Sequence, residues 1–242
     1  MPTRRALLLL PILLPILHAF VALGLVGCNK PKVGGKCEVG QALCEGSNTV
    51  LACQGGAYVE APCRGAAGCT KLGARVTCDD STANVGEACL ETETENRACG
   101  ADKTTSLLCD AGKFKAVQVC RGAKGCQIRS DQVTCDTSRA LKGDLCTTAG
   151  AFACTPDMKS RVVCKGGAFA FDRSCKGATG CHPLDYACDE TISDVGDPCG
   201  LSGLAACSSD GDTELLCQSG VYFANRSCKR GCKVVGAKIE CL

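Results

Sequence analysis

Apolar residues are spread along this chain in two different ways. From Ala6 to Val26 they run almost unbroken, with His18 the one strongly polar interruption. Beyond residue 28 they come in short groups closed by glycine-rich turns. Val50-Leu51-Ala52-Cys53, a Gly-rich turn and Ala57-Tyr58-Val59 predict a β-hairpin, and Leu107-Leu108-Cys109 with Phe114-Lys115-Ala116-Val117 predict a second copy of it. A smaller hairpin is predicted where Thr70-Lys71-Leu72 and Arg75-Val76-Thr77 flank Gly73-Ala74. Ser130-Asp131 and Gly236-Ala237 take the same turn position further along. No window combines a sustained 3.6-residue apolar period with helix caps, so helices are not expected.

The hairpins belong to a repeat written in cysteine. Leaving out Cys28, the cysteines fall into four sets of six. The first is Cys37, Cys44, Cys53, Cys63, Cys69 and Cys78; the second is Cys89, Cys99, Cys109, Cys120, Cys126 and Cys135. The third is Cys146, Cys154, Cys164, Cys175, Cys181 and Cys188; the fourth is Cys199, Cys207, Cys217, Cys228, Cys232 and Cys241. Other residues recur in step with them. Gly34, Gly86, Gly143 and Gly196 stand three before each first cysteine. Gly56, Gly112, Gly167 and Gly220 stand three after each third cysteine, and Tyr58, Phe114, Phe169 and Tyr222 follow two later. Arg64, Arg121, Lys176 and Lys229 follow each fourth cysteine, and Gly68, Gly125, Gly180 and Gly231 precede each fifth. Recurrence of this kind marks tandem modules. The expected organisation is a segment 1–27, a tether 28–33, and repeats at 34–78, 86–135, 143–188 and 196–242. Linkers of equal length begin at Asp79, Asp136 and Asp189, and their polar content predicts exposed joints.

Composition gives these modules a physical character. The chain has 242 residues, of which 25 are Cys, none is Trp and 4% are aromatic. A unit of about fifty residues with one or two rings is too small to be stable by burial alone. Disulfides at roughly 2–4 kcal/mol each supply what the core lacks. The expected fold is therefore small, disulfide-rich and mainly β: four tandem six-cysteine modules built from short β-hairpins. So many cysteines also place the chain in an oxidising compartment. Six cysteines allow 15 pairings. In the small hairpin Cys69 falls opposite Cys78 at a non-hydrogen-bonded position, where side chains approach closely. That geometry favours a bridge from each fifth cysteine to its sixth.

The amino-terminal apolar run reads as an export signal. Arg4 and Arg5 supply a positive start, Pro11 and Pro15 interrupt helical continuity, and the run ends at small residues. An uncut membrane span is the competing reading of a run this long. Its end, Leu25-Val26-Gly27-Cys28, resembles the lipobox of bacterial lipoproteins. The resemblance implies that Cys28 carries a diacylglycerol, that the signal is cut before it, and that the new amino terminus is acylated. Two or three chains hold a protein on a membrane far more firmly than one. Asn29, rather than Asp, follows the cysteine, which in the family's sorting rule favours the outer membrane. With Arg4 and Arg5 removed, basic and acidic side chains balance, and nothing in the charge points to nucleic acid.

Catalytic and metal chemistry find little purchase. No cysteine pair has C-x₂-C spacing, and His182 is the one histidine beyond the signal, so zinc, thiol redox and Ser-His-Asp chemistry are not expected. His182 is read as an exposed loop residue. The acidic run Glu91-Thr92-Glu93-Thr94-Glu95 lacks the alternation of a calcium loop and reads as a solvated insertion. No cofactor is expected. The repeated rings Tyr58, Phe114, Phe169 and Tyr222 are candidate contact residues for a sugar or protein partner, but each is expected to be its module's one large core residue. The repeated Arg or Lys after each fourth cysteine is read as an exposed turn residue. The Cys53-x₂-Gly56-x₆-Cys63 stretch has a faint likeness to invertebrate-type chitin-binding modules. The whole pattern more closely resembles cysteine-rich repeat lipoproteins of myxobacterial type. The expected function is that of a membrane-anchored extracytoplasmic lipoprotein, non-catalytic, acting as a binder or spacer. A carbohydrate- or cell-wall-binding array is the alternative.

Overall fold

The computed structural model describes residues 30–90, 95–129, 132–236 and 238–242. The signal segment 1–27, Cys28, Asn29, the insertion 91–94 and the turn residues Ser130, Asp131 and Ala237 lie outside the described residues. Lys32–Leu242 forms one unit, and it is all short strand and turn, with no helix among the described residues.

Repeat 1 carries β1 (Ala42–Cys44), β2 (Thr49–Gln54) and β3 (Ala57–Pro62) in one antiparallel sheet, followed by the hairpin β4 (Cys69–Leu72) and β5 (Arg75–Cys78). Repeat 2 repeats the plan with β6 (Thr82–Ala83), β7 (Arg97–Gly100), β8 (Thr105–Asp110) and β9 (Lys113–Val119), then the hairpin β10 (Cys126–Arg129) and β11 (Gln132–Cys135). Repeat 3 has β12 (Phe152–Cys154), β13 (Ser160–Lys165) and β14 (Ala168–Ser174). Its shortened hairpin is reduced to a single bridge, Cys181 opposite Cys188. Repeat 4 has β15 (Ile192–Ser193), β16 (Ala205–Ser208), β17 (Thr213–Gln218) and β18 (Val221–Ser227), then β19 (Cys232–Val235) and β20 (Lys238–Cys241).

The main hairpins form where the sequence places them because the turn chemistry is right. Ala111 and Gly112, the two residues between β8 and β9, both have positive φ, 51° and 72°. This is the twist-matching turn that two-residue hairpins prefer, and glycine enters it without steric cost. The strand that leaves the turn then aims one ring into the module. Phe114 and Tyr222 are fully buried, Phe169 is 2% exposed and Tyr58 is 8% exposed. The backbone holds each ring in place from both sides. Phe114 N–H donates to the Glu87 carbonyl at 2.9 Å, and Gly86 N–H donates to the Phe114 carbonyl at 2.8 Å. The same pair of bonds recurs at Tyr58, Phe169 and Tyr222. Around Phe114 pack Ala83, Cys89, Ala98 and Leu107. The contact role considered for these rings has no open ring face to work with.

Twenty-four cysteines form twelve disulfides, three within each repeat. The expected bridge from fifth to sixth cysteine is not the one formed. First joins third, second joins fifth and fourth joins sixth, as in Cys37–Cys53, Cys44–Cys69 and Cys63–Cys78. The register behind the expectation is correct, since Cys69 does lie opposite Cys78, and Cys126 opposite Cys135. What it missed is the use of that shared face. Both sulfurs point at the main sheet, and Cys69 packs there with Val50, Ala52, Ala61 and Cys63. A bridge between the two hairpin strands would close a few residues and leave the hairpin unattached. The bridges formed span 25 and 15 residues and tie it to the sheet.

The linkers are not exposed joints. Residues 82–83 run parallel to β7 and residues 192–193 parallel to β16, while Arg139 bridges Cys154 in the same sense. Ala83, Ala140 and Ser193 are at most 1% exposed. Each linker thus pairs in parallel along the edge of the module that follows it, as a two-residue strand before repeats 2 and 4 and as a single bridge before repeat 3. Truncation of the ring in repeat 2, Phe114→Ala, is expected to destabilise that module by about 3–5 kcal/mol. In limited proteolysis the first cuts should fall between Cys89 and Cys135, with repeats 1, 3 and 4 still resistant.

Candidate functional site: the junctions between repeats

The features that recur most faithfully in space lie where one repeat meets the next. The residue after each sixth cysteine is pinned by its backbone. Asp136 N–H donates to the Gly125 carbonyl at 3.0 Å, and Gly122 N–H donates to the Asp136 carbonyl at 2.8 Å. Its carboxylate then accepts from Lys124 N–H and Ser138 N–H, both at 3.0 Å. Asp79 accepts in the same way from Ala67 and Ser81, and Asp189 from Thr179 and Thr191. The carboxylate sits so close to the chain that a Cβ on Gly122 would lie 2.0 Å from it, so only glycine fits there. Gly65 and Gly177 stand in the same relation to Asp79 and Asp189.

Electrostatics agree with this geometry. Burial pushes the Asp136 carboxyl up, but the N–H donors of Lys124 and Ser138, the Ser138 hydroxyl and the Lys124 charge outweigh it and hold it below the usual carboxylate range. Asp79 and Asp189 are lowered against the same burial penalty, by hydrogen bonds from Ser81 and Ala67, and from Thr191 and Thr179.

A second element crosses the junction. Arg64 of repeat 1 forks onto Glu87 of repeat 2, with Nε 2.9 Å and Nη2 2.5 Å from Oε1. Arg121 of repeat 2 forks onto Asp144 of repeat 3, with Nη2 3.0 Å from Oδ1 and Nε on Oδ2. Lys176 of repeat 3 reaches Asp197 of repeat 4 at 2.8 Å, and Asp194 as well. In repeats 1 to 3 the repeated basic residue is therefore a clamp and not an idle turn residue. Its acidic partners also cap their own turn, as where Leu141 N–H donates to Asp144 at 2.8 Å. Bidentate Arg–carboxylate pairs carry geometric specificity as well as charge. Sequence reasoning missed Glu87, Asp144 and Asp197. The signal was present as an acid directly after the repeated glycine in repeats 2, 3 and 4, in step with a base after each fourth cysteine. The last junction has one more tie: Glu190 accepts from Arg173 at 2.7 Å and from Gly200 N–H at 3.0 Å.

The rest of the surface offers less. Each of the 24 described half-cystines is in a disulfide, so none is a thiolate nucleophile or ligand. His182 is exposed, with Nδ1 2.9 Å from Asp185. Among the described residues no group of His, Cys, Asp and Glu is placed to hold a metal ion, and no buried side-chain polar atom lacks a partner. A cleft of about 810 Å³ lies between repeats 1 and 2 and is lined by Asp79, Asp80, Ser81, Leu90 and Asn96, among others. Burial pushes the Asp80 carboxyl up, the charge of Asp79 adds to this, and Asn96 bonds it at 2.6 Å. No helix among the described residues is long and apolar enough to cross a membrane. No protein-family model, no curated protein and no solved structure matches this chain.

Two outcomes follow for the junctions. In a double-mutant cycle on Arg121→Gln and Asp144→Asn, the coupling energy read from thermal unfolding should be about 0.5–1 kcal/mol, the size of a partly exposed ion pair. The Asp79, Asp136 and Asp189 carboxyls have folded values below their unfolded ones. Their contribution is therefore complete above the ordinary Asp range near about 4 and is lost as pH falls through the lower folded values. The melting temperature should hold from pH 7 to about 5 and drop below it, and Asp136→Asn should shrink that drop.

Proposed function

We propose that the chain is an extracytoplasmic lipoprotein, anchored by lipid on Cys28, whose four modules form a non-catalytic spacer or presenting array. The lipobox carries the anchoring half of this reading, and it lies outside the described residues. The observation that carries the other half is the junction. Each of the three links is closed by the same aspartate knot, the same parallel linker pairing and the same base–acid clamp. A chain that only needed four independent binding beads would have no use for such joints, because flexible linkers serve avidity well. Fixed joints serve a protein that must hold something at a set distance from its anchor.

Twelve disulfides suit the same setting. Modules stapled this way keep their structure outside the cytoplasm, where thiols are oxidised and where small cores are marginal. The carbohydrate-binding alternative loses its main support, since the repeated rings that would stack on sugar are buried in the modules.

Replacing the lipidated thiol tests the anchor. Cys28→Ser should abolish metabolic labelling with a fatty acid and move the protein out of the membrane fraction. Normal labelling and membrane recovery of that variant would contradict the reading. A variant that loses its lipid yet keeps the twelve disulfides would show that anchoring and folding are separate steps.

A further inference from the structure

The four modules are not equivalent in how they meet what precedes them. In repeats 2, 3 and 4 the outer edge of the first main strand receives the preceding linker. Cys99 N–H donates to Ser81 at 2.8 Å, Cys154 N–H to Ser138 at 3.1 Å and Cys207 N–H to Thr191 at 2.9 Å. Beside that edge a small linker residue enters a slot. Ala83 packs against Ala98 and Leu107, and Ala140 against Ala153 and Val162. Ser193 takes the same position in repeat 4, where Ala206 is fully buried.

Repeat 1 has the same backbone edge. Cys53 N–H donates to the Gln41 carbonyl and Glu45 N–H to the Thr49 carbonyl, which turns the N–H and C=O of Ala42 and Cys44 away from β2. Among the described residues that edge has no partner strand, and an edge of this kind is a template for another strand.

Three residues of repeat 1 differ from the other repeats, each at one of the receiving contacts. Leu43 stands where Ala98, Ala153 and Ala206 stand, opposite Leu51 in the register that pairs Ala98 with Leu107. Leu43 is half-buried and brings a larger side chain than alanine to this position, and Leu51 opposite it is only 1% exposed. Gly35 stands where Glu87, Asp144 and Asp197 take the clamp. Pro31 stands where Ala140 donates its N–H to the Cys154 carbonyl at 2.9 Å, and proline has no N–H to donate. From these three differences we propose that repeat 1 is built as a cap: its edge rejects the extended Asp-x-Ser/Thr-x-Ala/Ser strand that its sister modules accept. Protected ends of this kind keep repeat arrays from adding strands to one another.

Amide hydrogen exchange on the full chain, with intact mass confirming twelve disulfides in every variant, tests this directly. The Cys99, Cys154 and Cys207 amides should exchange at least 100-fold more slowly than that of Cys44. Equal protection of Cys44 would mean that a strand covers the edge, and would overturn the proposal. Pro31→Ala alone should leave Cys44 exchange unchanged, because Leu43 still stands at the slot position. Leu43→Ala with Pro31→Ala should slow it at least tenfold, because the tether then has both a donor and a vacancy to enter. Protection gained by Pro31→Ala alone, or none gained by the pair, would each contradict the assignment of Leu43 as the plug.

Discussion

A module of about fifty residues that buries one ring, a leucine or valine or two and a few alanines cannot pay its conformational entropy from apolar burial. The arrangement of its three disulfides answers that constraint, and the rest of the structure depends on it. The bridge from first to third cysteine fastens the entry turn to the main hairpin, beside the buried ring. The other two bridges fasten the small hairpin to the sheet. Cys44 and Cys63 are the sheet's anchor points, and Cys69 and Cys78 are the hairpin's. The sulfurs themselves occupy core volume: Cys63, Cys89, Cys120, Cys154 and Cys164 are among the largest fully buried side chains. Cross-link and core are the same atoms, which is why so few aromatics suffice.

The same economy shapes the junctions. A linker that wandered free would cost entropy at each joint and leave a strand edge exposed on the next module. Here its residues are used three times over. The aspartate closes the end of one repeat, the next residues pair along the edge of the following one, and a small side chain fills that repeat's slot. The clamp of Arg64, Arg121 or Lys176 then fixes the following turn at the place where its backbone also holds the buried ring. Each of these contacts is worth little by itself, since the clamps are partly exposed. Their value lies in acting on one turn together.

Much of this was legible in the residues. Glycine and ring spacing marked the hairpins and their turns, and cysteine spacing marked the four modules and the shared face of Cys69 and Cys78. Pairing was not legible, because spacing fixes which side chains share a face and not which surface that face meets. The linkers were misread for a related reason. Asp, Ser and Thr are polar, and polarity suggested solvent, but the Asp136 carboxylate is taken up by the backbone N–H groups of Lys124 and Ser138. Pairings of one or two residues carry too short a pattern to be recognised. The clamp was legible only as a pair: neither Arg121 nor Asp144 is distinctive until both are seen to recur at fixed places in adjacent repeats.

Disulfide connectivity is the claim on which the account rests, and repeat 2 is well placed for measuring it. Trypsin acting on denatured, unreduced protein separates Cys99, Cys120, Cys126 and Cys135 onto four peptides, covering residues 98–103, 116–121, 125–129 and 130–139. Mass spectrometry should find 98–103 joined to 125–129, and 116–121 joined to 130–139. A peptide joining 125–129 to 130–139, or any bridge between repeats, would contradict it.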